Sequence, residues 1–179
     1  MGRAVYYVEA PDPLPWVVFQ TENPPVAVFL AGGITGCPDW QSDLYDLLQT
    51  ITLHGNANPD LVVLNPRRED FPIYDPNAAR TQIKWEFEML RRADIISFWF
   101  CKDQIQPIVL FEYGYWLGQH SKPLVVGIEP GYPRTQDVVI QTELEQSSLS
   151  SGPHMMFNRN LNDQARMIVA MARALRRRK

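Results

Sequence analysis

Cysteine, histidine and long apolar runs are scarce in this chain, and each scarcity removes a class of function. Two cysteines and three histidines among 179 residues show no metal-ligand spacing, so no metal centre is expected. No apolar run approaches the roughly 18 residues that cross a bilayer. The start, Met1-Gly2-Arg3-Ala4-Val5, lacks the long apolar core of a signal peptide. These features predict a cytoplasmic protein without a membrane partner. Cys37 and Cys101 are then expected as free thiols, because a stable disulfide is not favoured in a reducing compartment. Positive charge is short as well: 17 Lys and Arg against 20 Asp and Glu leave a net charge of −3, which argues against a nucleic-acid partner. The one basic run, Arg176-Arg177-Arg178-Lys179, ends the last predicted helix, where cations complement the macrodipole.

What the chain does contain is a regular alternation of elements. Its apolar share of 45% and charged share of 21% suit one globular domain with a real core. Residues 4–9 are rich in β-formers, and Ala10-Pro11-Asp12-Pro13-Leu14-Pro15 breaks any element there. Residues 1–25 therefore read as an N-terminal arm or added edge strand, and 26–179 as the main α/β domain. VAVFLA (26–31), LVVLN (61–65), DIISFWF (94–100) and PLVVGI (123–128) read as buried strands. Asp39 to Leu53 reads as a helix. A second runs from an Asp75 N-cap and Pro76 to about Arg92, with Ile83, Phe87 and Leu90 as its apolar stripe. Pro107 opens a third, and Leu161 to Arg177 forms an amphipathic last one. Residues 134–149 fit either a short strand or a helix.

Strands alternating with helices predict βαβ units and a parallel sheet with helices on both faces. Ligands bind such sheets at the carboxyl ends of the strands, where the strand order reverses. The predicted strand ends carry Gly32-Gly33-Ile34-Thr35-Gly36, Asn65-Pro66-Arg67-Arg68, Phe98-Trp99-Phe100 and Gly127-Ile128-Glu129-Pro130. The glycine turn permits close approach of a ligand to the backbone, but it lacks dinucleotide or P-loop spacing. Three acids lie around these ends. Glu112 stands in an otherwise apolar helix, where a carboxylate is costly unless paired or used. Gly114, two residues on, is understandable if a ligand or strand approaches it. Glu86 shares a helix face with Gln82, and a solvated stripe explains that pair equally well. Asp94 follows Arg91-Arg92, so a helix-end partner is an equal reading. Tyr113, Trp116, Trp99 and Phe98 are candidates to stack on a flat ligand, or core residues.

FLAGGITG (29–36), VVLNPRR (62–68), QIKWEFEMLRRADIISFWF (82–100), PIVLFEYGYWLG (107–118) and VVGIEPGYPRTQDV (125–138) occur in this order. Together they resemble the nucleoside 2-deoxyribosyltransferase-like proteins, over roughly Val26 to Val139. The resemblance implies a Rossmann-like fold and a two-step exchange of the nucleobase of a 2′-deoxynucleoside for a free base, with no cofactor. It implies that Glu112, in the context Glu112-Tyr113-Gly114, is the nucleophile. Glu86 matches an acid that helps position substrate, and Asp94 an acid at the start of the central strand. Gly32, Gly33, Asn65, Arg67, Gln82 and Tyr113 are the candidate substrate contacts. One departure is plain: Gln106 stands where the family carries an aspartate near the base.

The chemistry is consistent with that assignment, since a carboxylate can stabilise and trap an oxocarbenium-like sugar carbon. Two alternatives stay open. Water as acceptor would make the chain an N-glycosidase, and Arg67 with Arg68 would then suit a 5′-phosphate. A nucleotide-binding module without turnover is the other. The resemblance also implies an oligomer whose sites a neighbouring subunit completes, through His154-Met155-Met156-Phe157-Asn158.

Overall fold

Four of the apolar runs become strands because both of their faces are covered, so every position can be apolar. In the computed structural model, which describes residues 4–54, 60–72, 74–147 and 156–177, the elements follow one another in βα alternation. They are β1 (Val5–Glu9), α1 (Trp16–Phe19), β2 (Val26–Gly32), α2 (Trp40–Leu53), β3 (Leu61–Asn65) and α3 (Ala78–Arg92). Then come β4 (Ile95–Phe100), α4 (Pro107–Gln119), β5 (Leu124–Ile128), α5 (Thr135–Ser147), β6 (Phe157–Asn158) and α6 (Leu161–Arg176). All six strands pair in parallel, in the order β1-β3-β2-β4-β5-β6. The α/β, Rossmann-like sheet expected from the sequence is the sheet observed.

Alternation along each strand divides the core into two layers. Phe29, Leu64, Phe98, Phe100 and Val126 face α3, α4 and α5. Val28, Leu30, Val63, Ile95 and Val125 face α2 and α6. Asp39 caps α2 by accepting the Ser42 N–H, and Asn160 caps α6 by accepting that of Asp163. The undecided stretch 134–149 is helical over Thr135–Ser147. The helix expected from Asp75-Pro76 begins at Ala78 instead: Asp75 accepts the N–H groups of Asn77 and Ala78 in a turn. Its core residues are Ala78, Trp85, Met89 and Leu90, while Ile83 and Phe87 are exposed.

The strand β6 escapes sequence reading because it is two residues long. Phe157 and Asn158 pair with Val126 and Gly127, so they form the edge strand of this chain's own sheet. His154 and Met155 lie outside the described residues. A fully buried Gln164 ties the region together. Its Nε2 donates to Ser97 Oγ at 2.8 Å and to the carbonyls of Phe98 and Val125 at 3.1 Å, while its Oε1 accepts from Asn158 Nδ2 at 2.8 Å. Replacing Gln164 by Leu removes all of these buried hydrogen bonds at once and is expected to cost about 2–4 kcal/mol. Urea unfolding checks this, and a loss below about 1 kcal/mol would contradict it.

Cys37 and Cys101, expected as free thiols, meet sulfur to sulfur, with Cα atoms 6.6 Å apart. They are 64 residues apart in sequence, but β2 and β4 are neighbours in the sheet, so the residues beyond their carboxyl ends meet. That juxtaposition is a property of strand order and is invisible in the spacing. Among the described residues, no helix is long and apolar enough to cross a membrane.

Candidate active site at the strand-order reversal

From β2 the chain passes through α2 to β3 on one side, then through α3 to β4 on the other. The loops leaving β2 and β4 therefore diverge to opposite faces, and a crevice must open between them. A cleft of roughly 340 Å³ lies there. Gly32, Ile34 and Thr35 after β2 form one wall. Gln104, Gln106 and the first turns of α4 form the other, with Pro66 after β3 at one end. Two carboxylates line it, Glu86 from α3 and Glu112 from α4.

Both acids are half-buried, and burial raises both pKa values. Glu112 is pushed up to about 7, by desolvation first and by the charge of Glu86 second. Glu86 is also raised by desolvation, with an opposing pull from a hydrogen bond that Gln82 donates. That bond is 2.8 Å long, and the same Gln82 Nε2 donates to the Pro66 carbonyl at 2.6 Å. Gln82 thus fastens Glu86 to the end of β3. Desolvation raises both carboxyl groups, and the charge of Glu86 raises Glu112 further, so the two can share a proton, the condition for pairing a nucleophile with an acid.

Glycine is required at both positions of the turn for a steric reason. A Cβ on Gly32 would lie 2.4 Å from the Trp40 ring and 2.6 Å from the Trp99 carbonyl. One on Gly33 would lie 2.4 Å from Cys37 Sγ and 2.8 Å from the Gln106 side chain. Gly32 lines the cleft, whereas Gly33 is buried beneath it.

Four predicted site residues stand elsewhere. Asp94 precedes β4, so it sits at the amino end of the sheet, opposite the cleft, where its carboxylate accepts the Ala27 N–H at 2.9 Å. Tyr113 is about 100° around α4 from Glu112. It is buried edge-on against Phe98 and Phe100 with its hydroxyl bonded to Thr142. The Arg67 guanidinium is taken up by the loop after β2: it donates to the carbonyls of Ile34, Cys37 and Pro38 and to Gln41 Oε1, and it pairs with Asp39 at 3.3 Å. Asn65 is buried, giving a hydrogen bond to the Tyr7 hydroxyl and accepting one from the Arg67 backbone. Trp116, Trp99 and Phe98 are core residues. Gly114 is exposed with nothing within 4 Å of an added Cβ, so no strand of this chain approaches it. Arg68 lies 5.4 Å from the Phe71 ring, outside the residues lining the cleft.

The model of the family described as nucleoside 2-deoxyribosyltransferase like matches residues 25–132, a span that holds β2 through β5 and both cleft acids. The chain belongs to that family. No curated protein matches it. As a nucleoside 2-deoxyribosyltransferase-like protein the chain carries β1 on one edge of the matched unit, beside β3, β6 on the other, beside β5, and α6 on the face it shares with α2. Sequence reasoning missed Gln106 as a cleft residue of consequence; its departure from the family pattern was the only available signal.

Proposed function

We propose that the chain transfers a 2-deoxyribosyl group between nucleobases through a covalent sugar–Glu112 intermediate. The observation that carries this reading is the pair of half-buried acids, both with raised pKa values, in one cleft at the strand-order reversal of a chain of this family. The ionised Glu112 carboxylate attacks C1′ as the N-glycosidic bond breaks. The departing base takes the bonding pair and a proton, which Glu86 supplies once the pair's shared proton has moved to it from Glu112, leaving Glu112 ionised. A second base then attacks C1′, displaces the carboxylate and returns a proton to Glu86. Two inversions give retention. A neutral nucleoside is favoured over a 5′-nucleotide. The described lining carries two acids and no Lys or Arg, and the one nearby guanidinium, Arg67, is spent on loop carbonyls.

Incubation with a 2′-deoxynucleoside, with and without a second free base, tests the reading by chromatography of the products. Exchange is expected. Free deoxyribose alone would assign water as acceptor, and binding without turnover would assign a non-catalytic module.

We also propose a homo-oligomer. Ile83 and Phe87 on α3, and Ile108, Phe111 and Tyr115 on α4, are exposed apolar side chains on the two helices that carry the acids, with Phe111 75% exposed. A second copy is the occupant that would cover them. Light scattering at micromolar concentration is expected to give a multiple of the chain mass, and a fully active monomer would exclude it.

A further inference from the structure

Gln106 is buried at the junction between β4 and α4, yet its backbone is left-handed, with φ 57° and ψ 61°. Non-glycine residues rarely adopt that region, and a residue before proline is pushed towards extended backbone instead. Such a conformation persists only where surrounding contacts over-determine it. Those contacts are explicit. The side-chain Oε1 accepts the Gly33 N–H at 2.9 Å. The Nε2 donates to the Cys101 carbonyl at 2.8 Å and to the Gln104 carbonyl at 3.3 Å. The main-chain carbonyl accepts the Leu110 N–H at 3.0 Å, starting the helix that presents Glu112 six residues later.

One residue therefore reaches across the crevice. Its amide holds the glycine turn after β2 against the end of β4, and its backbone starts the nucleophile's helix. We propose that Gln106 is a positioning residue, a crossbeam that sets the separation between the glycine turn and α4 and so holds Glu112 in a closed-walled cleft. This rests on the reading of Glu112 as the nucleophile. Because the amide oxygen and both amide hydrogens are engaged in these bonds, Gln106 holds no group free to protonate a departing base. It sets geometry where the family resemblance implies an acid. A carboxylate at this position lacks the donors to the Cys101 and Gln104 carbonyls, and an aspartate is also too short to span the gap.

The test uses the full chain and the variants Gln106→Ala, Gln106→Asp and Gln106→Glu, the last retaining length and the acceptor for Gly33 should the shorter ones fail to fold. Deuterium exchange at the Gly33 amide is expected to quicken about tenfold or more in Gln106→Ala and Gln106→Asp. The titration midpoint of Glu112, followed by carbon NMR of its carboxyl, is raised in the wild type by desolvation and by Glu86 and is expected to fall towards the ordinary carboxylate range as water enters. The kcat for exchange is expected to fall on the order of 10–100-fold per folded molecule in all three. An unchanged Glu112 titration with an altered melting temperature would reduce Gln106 to core filling and overturn the proposal. Full-rate exchange by Gln106→Asp would also overturn it, by showing that the position addresses the base. If the wild type turns over no nucleoside, the nucleophile reading fails, and the Gly33 and Glu112 measurements still decide whether the crossbeam exists.

Discussion

Glu112→Gln is expected to lose base exchange by at least about three decades while melting higher than the wild type above neutral pH. The first half follows from covalent catalysis: an amide oxygen cannot form the glycosyl ester, and what remains is only the binding contribution of the cleft. The second half follows from linkage. In the folded chain Glu112 is pushed up to about 7 by desolvation and by Glu86, whereas in the unfolded chain it titrates as an ordinary glutamate. Between roughly pH 4.5 and 7 the folded state therefore binds more protons than the unfolded one, and stability falls as pH rises through that window. Above it the folded protein carries a buried charge at full cost, on the order of 2 kcal/mol. Gln removes that cost. The wild type and variant should melt alike near pH 4, and diverge to several degrees in favour of the variant by pH 8. Exchange within tenfold of wild type by Glu112→Gln would refute the nucleophile. A variant melting lower at pH 8 would show that the carboxylate is satisfied rather than strained.

The parts of this fold that were legible share a physical property. The strands VAVFLAG, LVVLN, IISFWF and LVVGI are covered on both faces, so burial alone dictates their composition. Strand order then follows from short right-handed connections, and the cleft from the strand order. The rule that places the cleft at the carboxyl ends also sets Asp94 apart from it, since a residue preceding β4 must sit at the other end of the sheet; the resemblance matched the acid at the start of that strand, an end the cleft does not occupy. Arg67 misleads in a different way. A guanidinium beside a glycine turn suits a phosphate, but three loop carbonyls and Gln41 converge on it, and such convergence is tertiary. On α3 the stripe Ile83–Phe87–Leu90 has helical period, yet Trp85 and Met89 are the larger part of the buried face. Periodicity identifies a stripe without saying whether it meets the sheet or lies outside it. Tyr113 fails for the converse reason, because adjacency to Glu112 in sequence means a different face of α4.

Glu86→Gln should separate a working acid from a structural one. The glutamine keeps the length of the side chain, and its amide oxygen can still accept the hydrogen bond from Gln82 Nε2 that now reaches Glu86 at 2.8 Å. The link to Pro66 through Gln82 therefore survives, and the fold is expected to remain intact. Removing the charge also relieves Glu112, whose pKa is raised in part by Glu86. The pKa of Glu112 should drop, the acid limb of kcat/KM should move to lower pH, and the melting temperature above neutral pH should rise. What is lost is the carboxylate that takes up the shared proton as Glu112 ionises and passes it to the base. Without an acid to meet the departing base, the first step must expel an anion, and kcat/KM is expected to fall by about 2–4 kcal/mol of transition-state stabilisation, roughly 30- to 1000-fold. The loss should be smallest for bases that leave readily unprotonated and largest for the most basic ones, since only the latter depend on the proton. Melting curves and kcat/KM across a pH series, with two bases of different basicity, measure all of this together. A variant that melts several degrees lower and retains its efficiency per folded molecule would make Glu86 a structural acid. Glu112 would then act alone.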